Sequence, residues 1–354
     1  GAQGNLYVTH DTLPVGPRQV LAGTRSDTLL RVQFRADGED ILVKDFAVTG
    51  VPAAANYLEL WYDGTSSPFA VLRQGQCSTV VAGRFCADKD FVIPRNGEKD
   101  VAVKAVMKND AEGAVSGETF SLGLSTATTA NVAVQAQGYY SGQQLLQNDG
   151  DASAEGEIFV GVSSPGANVA VTGDTQKVVF SKISKIENIN PDPDGSSVIG
   201  GSAQIAQFRF SAADHTNSAG GYNTATITRL VFTVSAVNVT FDTSEFLLYN
   251  KQNTGVTATC VASGTTGTIT VTCQNLTSTA VDTFISRNTY IELVLRGVIS
   301  NPQVSQGTSI VQASLQNLGN PAITGTVQWS DGEQSIGWVD IGKSVVRSTN
   351  YRNN

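Results

Sequence analysis

Apolar and polar residues alternate in short bursts along most of the chain. RVQFRADGED at 31–40, ILVKDFAVTG at 41–50 and ATITRLVFTV at 225–234 place apolar side chains two apart, the period of a strand with one buried face. Clusters of Gly, Asn, Asp and Ser separate the bursts at intervals of roughly 8 to 12 residues, the rhythm of a β-sandwich. No window keeps a 3.6-residue period beyond two turns, and SGQQLLQNDGD at 141–151 is the one stretch that suits a single turn of helix.

The pattern is written twice. FVIPRNGEKDVAVKAVM at 91–107 aligns without a gap on TFISRNTYIELVLRGVI at 283–299, with Ile93-Pro94-Arg95-Asn96 on Ile285-Ser286-Arg287-Asn288 and Lys104 on Arg296. Outward from there, RVQFRADGED matches QFRFSAADHT at 207–216, LELWYDG at 58–64 matches FLLYNKQ at 246–252, ANVAVQAQG at 130–138 matches SIVQASLQN at 309–317, and GEIFVGV at 156–162 matches QSIGWVDIG at 334–342. Duplicated modules account for this shared order. Within the repeated stretch Val101, Val103 and Ala105 are expected in a core, Arg95-Asn96 in the preceding turn, and Lys104 as a solvated or cross-strand partner. The modules are placed at 1–162 and 177–354, joined by a linker at 163–176 (SSPGANVAVTGDTQ) that is rich in Gly and Ser and stiffened by Pro165. The expected class is all-β: two tandem immunoglobulin-like β-sandwich domains arising from an internal repeat.

Composition agrees. At 354 residues the chain exceeds one ordinary core, and 40% apolar content fills two. A formal net charge of −8 without a basic run argues against nucleic acid as a partner. No apolar stretch approaches the roughly 18 residues of a membrane span. The opening Gly1-Ala2-Gln3 reads as a mature chain after removal of an export signal, with an expression remnant as the competing explanation.

Four cysteines permit three pairings. The duplicated placement, each pair after the LELWYDG or FLLYNKQ segment and before the repeated strand, favours Cys77 with Cys86 and Cys260 with Cys273, against the alternative of four free buried thiols. Disulfides imply an oxidising compartment outside the cytoplasm.

Candidate chemistry is sparse. His10 and His215 read as surface residues, and no nucleophile elbow, zinc helix or phosphate loop occurs. Glycoside hydrolysis needs two carboxylates from any strands, but the acids cluster at Asp37, Glu39 and Asp40, at Asp149 and Asp151, and at Asp192 and Asp194, where turn geometry alone explains them. The same clusters could bind calcium, and Asn190-Pro191-Asp192-Pro193-Asp194-Gly195, which alternates oxygen donors, is the best candidate, through Asp192 and Asp194, with an ordinary rigid turn as the alternative. Asn238-Val-Thr and Asn275-Leu-Thr fit the N-glycosylation pattern. Trp61, Tyr62, Tyr139 and Tyr140 could form a sugar-stacking platform, but the core reading is preferred for all four.

A Gly-containing turn (VLAGT at 20–24, VIGGS at 198–202), then an apolar strand ending in Phe, then an alternating strand (VKDFAVTG, ITRLVFTV) resembles the β-sandwich repeats of bacterial cell-surface proteins, including surface-layer and extracellular filament subunits such as those of candidate-phyla bacteria. The resemblance implies assembly and carries over no catalytic residue. The expectation is a secreted, non-enzymatic structural subunit at the cell surface that polymerises with copies of itself into a filament or surface layer. Its alternative is an adhesin or carbohydrate-binding protein that contacts surface glycans. KSVVRSTNY at 343–351 resembles QKVVFSKIS at 176–184, so Val345, Val346 and Tyr351 are candidates for a strand donated to a neighbouring subunit, with Leu6 and Val8 in GNLYVTHDTL as the other.

Overall fold

The structure, a computed structural model, describes residues 3–353 except 14, 148–155, 191–196, 199, 219–222, 244 and 303–307, together with the side chains of 301 and 302. The chain divides into two compact units, Gly1–Val178 and Val179–Asn354. Among the described residues there is no α-helix, and turns of 3-10 helix occur at Gln74–Gln76 and Leu276–Ser278.

In the first unit the main strands are β1 (Asn5–His10), β2 (Leu30–Asp37), β3 (Ile41–Val48), β4 (Ala55–Tyr62), β5 (Ala70–Arg73), β6 (Phe85–Ala87), β7 (Phe91–Ile93), β8 (Gly97–Met107), β9 (Val134–Gly138) and β10 (Glu157–Val160). They pair in the order β1-β2-β8-β4-β5-β6-β3, with β7 and β9 also on β3. In the second unit they are β11 (Ile183–Asn188), β12 (Gly201–Ala212), β13 (Ala225–Val237), β14 (Glu245–Asn250), β15 (Thr257–Ala262), β16 (Gly267–Cys273), β17 (Phe284–Ile285), β18 (Tyr290–Pro302), β19 (Ser309–Gln316), β20 (Val327–Ser330), β21 (Val345–Arg347) and β22 (Tyr351–Asn353). Their order is β11-β12-β18-β14-β15-β16-β13, with β17 and β19 on β13. The two paths are the same, antiparallel throughout.

The register repeats as well. Phe34 of β2 lies opposite Lys99, and Phe210 of β12 lies opposite Ile291, the residue aligned with Lys99. In β2 the pattern is strict, with Leu30, Val32, Phe34 and Ala36 buried and the residues between them half-exposed. Val101, Val103 and Ala105 are buried as the alternation requires. Asn96 and Asn288, each at the end of the repeated Arg-Asn pair, both adopt left-handed backbone (φ 51 and 56), which Asn tolerates better than other side chains. Ala105 becomes Gly297 in the second copy for a steric reason: a Cβ there would meet the rings of Phe241 and Phe246 at 2.8 Å.

Aromatic side chains fill both interiors. Phe34 packs edge-on against Phe46 and Phe91, both at 5.3 Å between centroids, and in the second unit Phe208 stacks on Phe232 at 6.2 Å. Trp329 is fully buried, and its indole N–H donates to the Trp338 carbonyl at 3.0 Å.

Each unit carries one disulfide at the same station, Cys77–Cys86 and Cys260–Cys273. Cys86 lies opposite Ala47 of β3, and Cys273 opposite Leu230 of β13. The partners arrive differently. Cys260 sits within β15, beside the Val261–Thr272 pair, whereas Cys77 follows β5 by four residues and caps the 3-10 turn at Gln74–Gln76.

Residues 163–176 are not a linker. Val171–Thr172 pairs with Gly123–Leu124, Val169 donates its N–H to Val160 at 2.9 Å, and the Asp174 carboxylate accepts the Gly16 N–H at 3.0 Å, so the stretch belongs to the first unit. Its strands are too short for composition to reveal. The helical turn expected within 141–151 is also absent from its described part, where Leu146–Gln147 pairs with β10 in a strand.

The proposed donor strands are spent within the chain. β1 is antiparallel to β2 on one side and parallel to β10 on the other, so Leu6 and Val8, both 0% exposed, sit in a central strand with no vacant ladder. Val345 and Val346 pair with Gln316 and Leu315, and Tyr351 with Val311. Side chains of the same segment are also engaged: Thr349 Oγ1 accepts from the Asn188 amide, Tyr351 Oη accepts from the Asn190 amide at 3.0 Å, and the Asn353 amide exchanges two hydrogen bonds with the Val198 backbone.

Two measurements test this frame. Phe34→Ala removes a fully buried ring and should cost about 3–5 kcal/mol in urea unfolding of the whole chain. Replacing both Cys260 and Cys273 by Ser opens a loop closed by a separation of 13 residues and should cost about 3 kcal/mol, with the reduced wild type losing at least as much.

Candidate binding surfaces

The basic residue of the repeated stretch has the same work in both copies. Trp61 lies opposite Ala102 and Tyr249 opposite Val294, which are aligned positions. Lys104 Nζ stands 4.2 Å from the Trp61 ring centroid, and the Arg296 guanidinium 5.5 Å from that of Tyr249. A cation over an aromatic face contributes about 0.5–1 kcal/mol when partly exposed. In the first unit Arg25 also lies over Trp61, at 5.7 Å, and grips Glu59 through two hydrogen bonds of 2.7 and 3.2 Å. The Glu59 side chain is 3% exposed, and its hydrogen bonds hold the Arg25 guanidinium more firmly protonated than usual. Trp61 therefore offers no free face to a sugar.

Tyr62 is stacked on Phe69 at 3.9 Å, and burial pushes its hydroxyl pKa up. Tyr139 and Tyr140 behave otherwise, being 45% and 82% exposed with rings at 4.8 Å. They stand on a turn closed by Gly138 N–H to the Gln143 carbonyl and Gly142 N–H to the Gly138 carbonyl. The core reading fails for this pair. The signal lay in the flanking Gly138 and Gly142, which mark a turn tip rather than a strand interior.

The acidic cluster at 37–40 serves the turn. Asp37 pairs with Arg35 at 3.3 Å, Glu39 accepts the Gly4 N–H at 3.3 Å and Asp40 accepts the Arg95 N–H at 2.6 Å. Asp45 is half-buried, and burial pushes its carboxyl pKa up while the Arg84 charge draws it down. Asp149, Asp151, Asp192 and Asp194 lie outside the described residues, and with them the calcium expectation. Among the described residues no three His, Cys, Asp or Glu side chains are grouped to hold a metal ion.

His10 is exposed, but His215 is not a surface residue. It is 4% exposed, its Nδ1 accepts the Asn217 N–H at 3.1 Å, and its Nε2 lies 2.9 Å from the Asn223 carbonyl, a pattern that fixes the Nε2–H tautomer in a structural role. Asn238 and Asn275 are both exposed on left-handed turns (φ 53 and 52), and the Asn238 amide donates to the Thr308 carbonyl at 2.9 Å.

Two concavities stand out. In the second unit a pocket of about 350 Å³ is walled by Val198, Ile205, Ile299, Val311 and Tyr351. In the first, an open cleft of about 820 Å³ runs between the 50–56 segment, the disulfide hairpin and the 118–121 segment, and admits Arg73 and Lys108.

No family model and no curated protein matches the sequence. Among solved structures the chain is similar to the C-terminal domain of the Streptococcus agalactiae AgI/II polypeptide BspA, at 7% identity and a TM-score of 0.23, covering 99% of each chain. It is similar at the same coverage to the CupB6 tip adhesin from Pseudomonas aeruginosa, at 9% identity and a TM-score of 0.22. The BcpA major pilin subunit of Bacillus cereus gives 10% identity and a TM-score of 0.25 over 87% of this chain and 69% of that one. Likenesses at this level assign the chain to no family.

Proposed function

We propose that the chain is an extracellular structural subunit, without enzymatic activity, that assembles with copies of itself at a cell surface. The observation that carries the reading is the repetition of a whole strand path with its disulfide at the same station. Two rigid, cross-linked frames in tandem suit a load-bearing element, and disulfides at both stations suit an oxidising exterior.

The route to assembly differs from simple addition to a bare edge. β21 and β22 contribute three residues each to the margin of β19. The same hydrogen bonds form whether that segment comes from the same molecule or from a neighbour, which is the low-cost exchange of domain swapping. Electron microscopy of the purified chain is expected to show polymers, and monodisperse particles would remove the self-assembly reading. Gln316 and Val345 are directly opposite, so a Q316C/V345C disulfide locks the segment in place. Locking is expected to abolish polymers, and Q316S/V345S, which cannot lock, to retain them. Polymers of unchanged yield in the locked, oxidised protein would rule out strand exchange.

An adhesin or carbohydrate-binding protein is the second reading, favoured by the exposed Tyr139–Tyr140 pair. Tyr140→Ala is expected to weaken glycan-array binding under that reading and to leave polymer formation unchanged.

A further inference from the structure

We propose that the open cleft of the first unit is a binding site for an acidic saccharide, a sugar unit bearing a carboxylate. The inference goes beyond self-assembly, since a polymer can form with the cleft empty, and it rests on neither exposed tyrosine.

The electrostatics come first. The chain carries a net charge of −8, yet the cleft admits two cations, Arg73 and Lys108, against a single carboxylate on its wall, Glu118. Among the described residues neither cation has an acidic partner, whereas Arg18, Arg25, Arg31, Arg35 and Lys44 of the same unit are all paired with carboxylates. Arg73 is nevertheless held in place. Its guanidinium lies 4.3 Å from the Tyr57 ring centroid, which orients the planar fork without using its hydrogen-bond donors.

The walls are preformed. Cys77–Cys86 braces the lip that carries Gln74 and Gly83. Val51 N–H donates to the Gly83 carbonyl at 3.0 Å, tying that lip to the 50–56 segment. Gly50, at φ +71, packs so closely on Ser121 that a Cβ would lie 1.9 Å from the Ser121 carbonyl oxygen, which fixes the third wall. Little ordering is left for a ligand to impose. A volume of about 820 Å³ falls within the range of sites that take small ligands.

The lining decides the class. Around the two cations stand uncharged hydrogen-bonding groups on Asn56, Gln74, Thr119 and Ser121, and apolar surface from Val51, Pro52, Phe85 and Phe120. Hydroxyls paired with amide and hydroxyl side chains, a C–H face on apolar surface and one carboxylate at a guanidinium describe an acidic sugar. An acidic peptide fits less well, because strand addition needs an unpaired edge. The backbone here is engaged internally, through Ala55 N–H to Pro52, Lys108 N–H to Ala54 and Cys77 N–H to Gln74.

The test uses the whole disulfide-bonded chain and an oligogalacturonate, with a neutral oligosaccharide of equal length and an oligoglutamate as comparisons, by isothermal titration calorimetry. Oligogalacturonate is expected to bind, weakening as salt rises, and R73A/K108A is expected to lose at least about tenfold in affinity. K89A/R95A, which removes equal charge from exposed positions outside the cleft, is expected to bind as the wild type does. Matching thermal unfolding of R73A/K108A and wild type shows that the loss is local. No binding of oligogalacturonate, equal binding of the neutral sugar, preference for oligoglutamate, or an R73A/K108A affinity equal to wild type would each overturn the proposal. Because polymer formation is read separately by microscopy, a negative titration leaves the structural role untouched, and an absence of polymers leaves the cleft untouched.

Discussion

Everything in either unit hangs on the long strand of the repeat, β8 in the first and β18 in the second, held on both flanks by antiparallel ladders. β8 runs between β2 and β4, β18 between β12 and β14. A slip of one residue in such a strand would turn Val101, Val103 and Ala105 out to water and bring Lys104 in. Two devices oppose the slip. The Asn96 or Asn288 turn sets where the strand begins, and the cation laid across Trp61 or Tyr249 rewards one register on the outer face. The repeated stretch is thus two constraints joined by a core strand, which is why both ends of it survive alignment when the residues between them drift.

The disulfides show what drift is tolerated. Cys86 and Cys273 hold the same place beside β3 and β13, but one partner comes from a 3-10 turn and the other from within a strand. Separations of 9 and 13 residues close loops of similar entropy, because closure cost grows only with the logarithm of length. The path of the intervening chain can change freely as long as the sulfurs meet. Cross-links therefore preserve the hairpin where the hydrogen-bond ladder between β5 and β6 is short, only two paired positions.

Long alternating runs were legible in the sequence, as RVQFRAD shows: its apolar residues all point inward, and its Phe marks the core of each copy. The cysteine pairing was legible because duplication supplied a second example. What escaped were short elements. Val171–Thr172 and Gly123–Leu124 are strands of two residues each, below any period that a window can detect, and they converted an apparent linker into part of the first unit. His215 escaped because its burial is arranged by Asn217 and Asn223 nearby in a polar segment, whose composition points to solvent. Tyr139 and Tyr140 were misplaced because aromatic residues next to a strand resemble its core until the glycines on either side are weighed.

The pairing of the last strands within the chain constrains the assembly proposed for this protein. A subunit with a bare strand edge gains hydrogen bonds on meeting a neighbour, so association is downhill from the start and hard to restrain. Here β19 is already paired with β21 and β22, and side chains of that segment are bonded to Asn188, Asn190 and Val198. In the proposed exchange each of these bonds would be replaced by its equal, so monomer and polymer would differ little in hydrogen bonding and the balance would fall to concentration and to new contacts between copies. The barrier to that exchange would be the local opening of the last strands, each only three residues long. Under the strand-exchange proposal such a molecule would stay separate while dilute and assemble when crowded, at a rate set by the opening of those strands.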